Sequence, residues 1–238
     1  FVDYSGKAIE IIGVEGADQT ILNGLASFLS VVRIDAPNGL SRLEGFTLQN
    51  GFGVSCGNPL TICGEGVIIL QSEALVKDCV IVGNNSSNGG GLHAEDSSVT
   101  IEGCLFMNNF ASQGGGVSIS GGSCQISLSD FIDNTAYGWG GGLFAGNEAA
   151  VVIEDCNFTA NSSESGGGFM MSGATGEMSN CLIEGNQAVD EGGGGLFEQF
   201  ANFSVSGLQV VHNSASDGGG LGVTHFSVVD LIDSEISL

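Results

Sequence analysis

A triplet of glycines followed by one apolar residue returns six times from residue 89 to the end of this chain, and its spacing leaves little freedom of fold. GGGL begins at Gly89, GGGV at Gly114, GGGL at Gly140, GGGF at Gly166, GGGL at Gly193 behind one extra glycine, and GGGL at Gly218, in steps of 25, 26, 26, 27 and 25 residues. Self-similarity at a fixed period of this size marks a repeat architecture in which each unit packs mainly on its two neighbours. A second motif keeps the same step: an apolar residue followed three positions later by Asn, at Ile81 and Asn84, Phe106 and Asn109, Phe131 and Asn134, Phe158 and Asn161, Ile183 and Asn186, Val210 and Asn213. Two positions before each apolar residue stands a column of Cys79, Cys104, Ser129, Cys156, Cys181 and Leu208. Three before that stands another, Val76, Ile101, Ile126, Ile153, Met178 and Val205.

Inside each unit, apolar and polar residues alternate, as at Val99 and Ile101 or Val117 and Ile119, which is the period of strands. The apolar segments are too short for helices. A coil of three short strands, about 26 residues per circuit, with each strand pairing in parallel to its equivalent in the next coil, accounts for every column and predicts an all-β solenoid, a single-stranded parallel β-helix. At about 4.8 Å per coil, roughly nine coils make a rod on the order of 40 to 45 Å long. In such a rod the glycines serve the corners, where adjacent coils approach closely. The asparagines are expected to form a ladder at another corner, with left-handed backbone and side chains hydrogen-bonded from coil to coil.

The first part of the chain follows this scheme loosely. Residues 1–52 read as irregular first coils, with AIEIIG from Ala8 as an early strand and LEGFTLQNG from Leu43 as a weak copy of the repeat. Residues 53–66, with Cys56, Pro59 and Cys63, interrupt the rhythm and read as a loop protruding from one corner; residues 67–238 are the regular coils. All belong to one domain, residues 1–238. Neither end shows an evident cap, so the chain is expected to be a section of a longer protein, or of an assembly that stacks end to end.

Charge narrows the partners. The formal net charge is −23, with only Lys7, Arg33, Arg42 and Lys77 on the positive side, and no Lys or Arg after residue 77. Nucleic acid recognition requires cations to displace the counterions of phosphates, so DNA and RNA are excluded, as is attraction to anionic lipid. Diffuse Ca²⁺ binding to the acidic surface is the cofactor-like interaction the composition suggests. No stretch approaches the roughly 20 apolar residues of a membrane helix, which argues against direct membrane insertion. A basic segment followed by an apolar run is also missing, so any signal peptide is expected to lie outside this sequence.

FMNN, FIDN and FTAN match the FxxN motif, and GGGL, GGGV and GGGF resemble the GGA[ILV] motif, of the polymorphic outer membrane proteins of chlamydiae. The chain from about Leu75 to Leu238 thereby resembles the wider group of secreted right-handed parallel β-helix repeat proteins, with Gly standing where the chlamydial motif has Ala. The resemblance implies a right-handed coil, an extracellular or cell-surface location, and use as a surface rod or adhesin.

The residues able to carry chemistry are carboxylates, histidines and cysteines. β-Helices also host pectate lyases and polygalacturonases, which need clustered carboxylates and, for the lyases, a basic residue. Glu95 with Asp96, Asp130 with Asp133, and Glu154 with Asp155 form no column at matched repeat positions, and His93, His212 and His225 fall at unmatched ones, so no catalytic, metal or cofactor residues are assigned. Cys56 and Cys63 are the disulfide candidate, closing the protruding loop in an exported protein. Cys79 with Cys104, and Cys156 with Cys181, share one inward column in adjacent coils and are expected to be stacked free thiols. Cys124 has no obvious partner. Asn-x-Ser/Thr sequons occur at Asn84, Asn85, Asn157, Asn161 and Asn202; Asn84 and Asn161 belong to the internal ladder, and Asn157 and Asn202 are the better glycan candidates in a eukaryotic setting.

The sequence therefore predicts a non-enzymatic extracellular β-helical rod, a structural or adhesive element whose partner is a surface protein or polysaccharide and which self-associates end to end. The alternative is a carbohydrate-active enzyme or polysaccharide-binding module of the pectate-lyase-like fold, with Tyr137 and Trp139 lining a shallow acidic lateral face.

Overall fold

Alternating residues in short runs give strands that turn every second side chain into the core, and short parallel strands find partners only in the coils before and after them. A computed structural model of the chain describes residues 2–25, 30–52 and 65–237, and in it these strands stack into three parallel sheets of nine strands each. The fold is an all-β parallel solenoid. One coil runs from the first sheet (Val117–Ser120) through the second (Ser123–Ser127) to the third (Asp130–Ile132). A fourth, smaller sheet of four strands, Phe110–Gln113, Thr135–Trp139, Ser162–Ser163 and Gln187–Ala188, forms between the third sheet and the glycine corner.

The irregular first 52 residues join the same three sheets. Val2–Asp3 and Val32–Ile34 extend the first, Glu10–Ile12 and Leu40–Glu44 the second, and Ile21–Asn23 and Thr47–Gln49 the third. Their irregularity lies in the connections. Of the predicted protruding loop, residues 53–64 with Cys56 and Cys63 lie outside the described residues. Glu65 and Gly66, assigned to that loop by sequence, belong to a coil: the Gly66 N–H donates to the Gly90 carbonyl at 3.2 Å, and Glu65 is buried. Its carboxylate is held by the hydroxyls of Ser30 and Ser86, each donating at 2.6 Å.

The core is a set of columns running along the rod. Val76, Ile101, Ile126, Ile153, Met178 and Val205 are buried on the second sheet, and Cys79, Cys104, Ser129, Cys156, Cys181 and Leu208 at the following corner. Cys79, Cys104, Cys124, Cys156 and Cys181 are buried free thiols. The thiol hydrogen bond from Cys104 draws the pKa of Cys79 down, while burial pushes that of Cys104 up. On the third sheet Phe106, Phe131 and Phe158 stack with ring centroids 5.1 and 4.5 Å apart, and the aromatic run turns the corner through Phe169 and Phe197 to Phe203. Each such pair contributes about 0.5 to 1.5 kcal/mol beyond the area it buries.

The ladder asparagines are buried and hydrogen-bonded in one direction. The Asn109 backbone N–H and its Nδ2 both donate to Oδ1 of Asn134, at 3.1 Å each, while Nδ2 also donates to the Ile81 carbonyl at 2.8 Å. Asn84, Asn134, Asn161 and Asn186 repeat the pattern, and Asn213 closes it. Their backbone is not left-handed, contrary to the sequence expectation. The left-handed residue is the one before, Gly83, Asn108, Asp133, Ala160, Gly185 or His212, with φ between 52° and 65°. That residue turns the chain, which leaves the Asn side chain free to point inward.

The glycine triplets lead into the first sheet and pack beside the ladder, a Cβ on Gly91 falling 3.1 Å from Asn109 Nδ2, and two positions explain them. A Cβ on Gly91 would lie 2.5 Å from the Gly116 carbonyl oxygen and 2.8 Å from the Phe106 ring, so the third glycine is the space the aromatic stack occupies. Gly195 faces Phe169 in the next strand, where a Cβ would sit 2.1 Å from the ring. This corrects the repeat register. The left-handed first glycine of the fifth triplet is Gly192, not Gly193, so Gly195 takes the apolar inward position and Leu196 faces outward.

Candidate functional site

Residues that face outward from the first sheet form the floor of a lateral cleft. The floor column runs His93, Ser118, Phe144, Met170 and Leu196, in register across five coils. Phe144, Met170 and Leu196 are buried and make a hydrophobic cluster separate from the core. One rim is the column Glu95, Ser120, Gly146, Ser172 and Glu198 on the same strands. The other is the column Asn88, Gln113, Trp139 and Ser165 at the end of the fourth sheet.

Two insertions build the centre of this cleft. Asn134 and Asn161 stand 27 residues apart, against 25 for the preceding pairs. One extra residue is a β-bulge at Tyr137 and Gly138, where Ala111 pairs with Ala136 but Gln113 pairs with Trp139. Bulges re-aim side chains. Trp139 is thereby set against Phe144, with ring centroids 6.2 Å apart and planes inclined 27°. The other is in the turn of Asn147 and Glu148, both left-handed, which lifts Asn147 to the opposite rim. Its Nδ2 donates to Ser120 Oγ at 2.7 Å.

Two adjoining depressions result, sharing Gln113, Phe144 and Asn147. One of about 210 Å³ is lined by His93, Glu95 and Ser118; the other, of about 290 Å³, by Trp139, Met170, Glu198 and Gln199. His93 is 8% exposed, its Nδ1 has no hydrogen-bond partner, and burial holds its pKa below the ordinary imidazole value against the opposing pull of the Glu65 charge. It sits in the floor as a neutral imidazole at neutral pH. Glu198 Oε1 accepts from Gln199 Nε2 at 3.1 Å and Ser172 Oγ at 3.4 Å, and its Oε2 lies 3.8 Å from His225 Nδ1.

The chain belongs to the right-handed β-helix family. The family model described as right-handed beta helix region matches residues 65–235, more than two thirds of the sequence. Searches of curated proteins and of solved structures returned no match.

Within this β-helix the residues singled out by sequence are dispersed. Tyr137 and Trp139 do not share a face: Trp139 lines the cleft, while Tyr137, 78% exposed, borders a separate shallow groove with Phe110, Thr135, Ser162 and Val189. The bulge between them separates their directions. In each acidic pair the second member, Asp96, Asp133 or Asp155, occupies a left-handed turn position. His212 and His225 do so too, and among the described residues no three His, Cys, Asp or Glu side chains converge as a metal site would require. Asn157 and Asn202 are exposed at the starts of their strands, and Asn157 Nδ2 donates to Asp130 Oδ1 at 2.7 Å. Asn84 and Asn161 are buried.

Sequence reasoning missed Gln113, Phe144, Asn147, Met170 and Glu198. The signal was present: Leu143 with Phe144, Phe169 with Met170 and Leu196 with Phe197 put two apolar residues in succession after the glycines, where the coils of His93 and Ser118 alternate.

Proposed function

We propose that this β-helix is a secreted or surface-displayed rod that binds an extended glycan along the lateral cleft, without turning it over. The observation that carries the proposal is the Trp139 and Phe144 aromatic floor and wall, flanked by the amides of Gln113, Asn147 and Gln199 in one open cleft. Apolar ring faces cover the C–H face of a sugar, and side-chain amides and hydroxyls match its ring of hydroxyl groups. The cleft axis follows the rod, so a linear polymer passes over successive coils about 4.8 Å apart. Support for an external location comes from the resemblance of the repeat motifs to secreted β-helix proteins.

Affinity electrophoresis and calorimetry against soluble β-glucan, galactomannan and amylose, with reducing-end release measured in parallel, test this reading. Binding without release is expected, and Trp139→Ala is expected to weaken it by about 2 kcal/mol, roughly thirty-fold in Kd. Release of reducing ends that Glu95→Gln abolishes would replace it with the enzymatic reading, which His93 and Glu95 on one strand of the cleft favour.

A further inference from the structure

We infer that the cleft selects glycans by charge, accepting neutral chains and rejecting those that carry carboxylate or sulfate groups; this rests on the glycan-binding reading of the same site. From His93 onward, the described lining groups are amides, hydroxyls, aromatic rings, a thioether, a neutral imidazole and the carboxylates of Glu95 and Glu198. None of them bears a positive charge when His93 is neutral. A uronic acid or sulfate ester seated there would lose water without gaining a cation in exchange, and would meet two carboxylates instead.

The four cations lie elsewhere. Arg33 precedes His93 by two coils in the floor column, and its guanidinium is bound to Asp35 at 2.9 Å. Arg42 is paired with Glu44, and Lys77 with Glu102 at 2.6 Å, both on the second sheet. Lys7 belongs to the first coil. Nineteen of the 27 carboxylates follow Lys77 with no cation among them, so the field along the cleft adds to the local repulsion. A neutral polymer feels neither effect. Its hydroxyls supply donors for Glu95 and Glu198 and acceptors for the amides of Gln113 and Asn147.

The experiment uses the best-binding polymer of the neutral panel and the same polymer with a fraction of its C6 hydroxyls oxidised to carboxylates, which changes charge while keeping the backbone. Oxidation is expected to weaken binding by about tenfold at 20 mM salt. The gap should close as salt is raised to 0.5 M, where screening shortens the range of charge to a few ångströms. Glu198→Gln should narrow the low-salt gap, and Glu154→Gln, on another face, should leave it in place. Equal or tighter binding of the oxidised polymer overturns charge selection and leaves glycan binding standing, as does a gap that ignores salt. If no member of the panel binds, the glycan-binding reading falls and charge selection with it.

Discussion

The inner and outer faces of the first sheet come from the same strands and obey opposite rules. Inward, Val67, Leu92, Val117, Leu143 and Phe169 keep one character from coil to coil, and Gly195 yields its space to Phe169. Outward, the neighbouring positions run from imidazole through hydroxyl to phenyl, thioether and isobutyl at His93, Ser118, Phe144, Met170 and Leu196. A column that must stack on itself tolerates little change of size, because each member is the packing surface of the next. A column facing a groove also touches its neighbours, as Phe144, Met170 and Leu196 do, but has open space on its outer side to take up a change of size. Repetition in this molecule therefore marks architecture, and departure from repetition marks where a ligand is read.

The sharpest way to break that contrast is to remove one rung of the ladder. Asn134→Ala deletes the acceptor used by the Asn109 N–H and Nδ2, and the donor to the Phe106 carbonyl and Asn161 Oδ1. Each buried group left unpaired costs about 1 to 3 kcal/mol, so a loss of about 3 to 5 kcal/mol is expected in urea unfolding. Asn157→Ala, on the exposed surface, should stay within about 0.5 kcal/mol of the parent.

Glycine positions sharpen it next. On Gly116 a Cβ would lie 2.5 Å from the Gly142 carbonyl oxygen, and Gly116→Ala is expected to cost about 2 to 3 kcal/mol by overpacking. Gly185 has open space around its missing side chain, so Gly185→Ala should cost only the left-handed backbone penalty, about 1 kcal/mol. The two melting temperatures, measured side by side, separate crowding from conformation.

The outer face should answer differently. Trp139→Ala should lower stability by less than about 1 kcal/mol, because the ring is 43% exposed, while removing most glycan affinity. The remaining effect concerns pH. His93 has a folded-state pKa below its unfolded value of about 6.5, so the unfolded chain takes up the proton first. Its contribution to stability is intact above pH 6.5 and falls as the pH drops from there toward the folded value, by up to about 1.4 kcal/mol per pH unit. His93→Gln should flatten that interval in unfolding free energy measured between pH 5 and 7.

Fold and cleft were unequally legible in the sequence. Period and alternation sufficed for a parallel solenoid, since few arrangements bury columns at Cys104, Phe106 and Ile101 at once. The register at the fifth triplet was misread because four consecutive glycines look alike on paper. Only the left-handed turn at Gly192 and the Phe169 ring filling the space beside Gly195 distinguish them. The ladder asparagines were assigned a left-handed backbone because Asn tolerates it well, but an inward-pointing amide leaves the turn to the preceding residue. The cleft was hardest to see, since its floor and rims repeat nothing, and Tyr137 and Trp139 looked equivalent until the bulge sent them to different grooves.

Both extra residues of the coil between Asn134 and Asn161 fall outside the ladder, one in the bulge and one in the turn, and the hydrogen bonds from Asn134 to Asn161 stay at 3.0 Å. Mutation and insertion at those outer places have no toll to pay inside, so a lineage of such rods is free to exchange its binding surface while inheriting its scaffold unchanged.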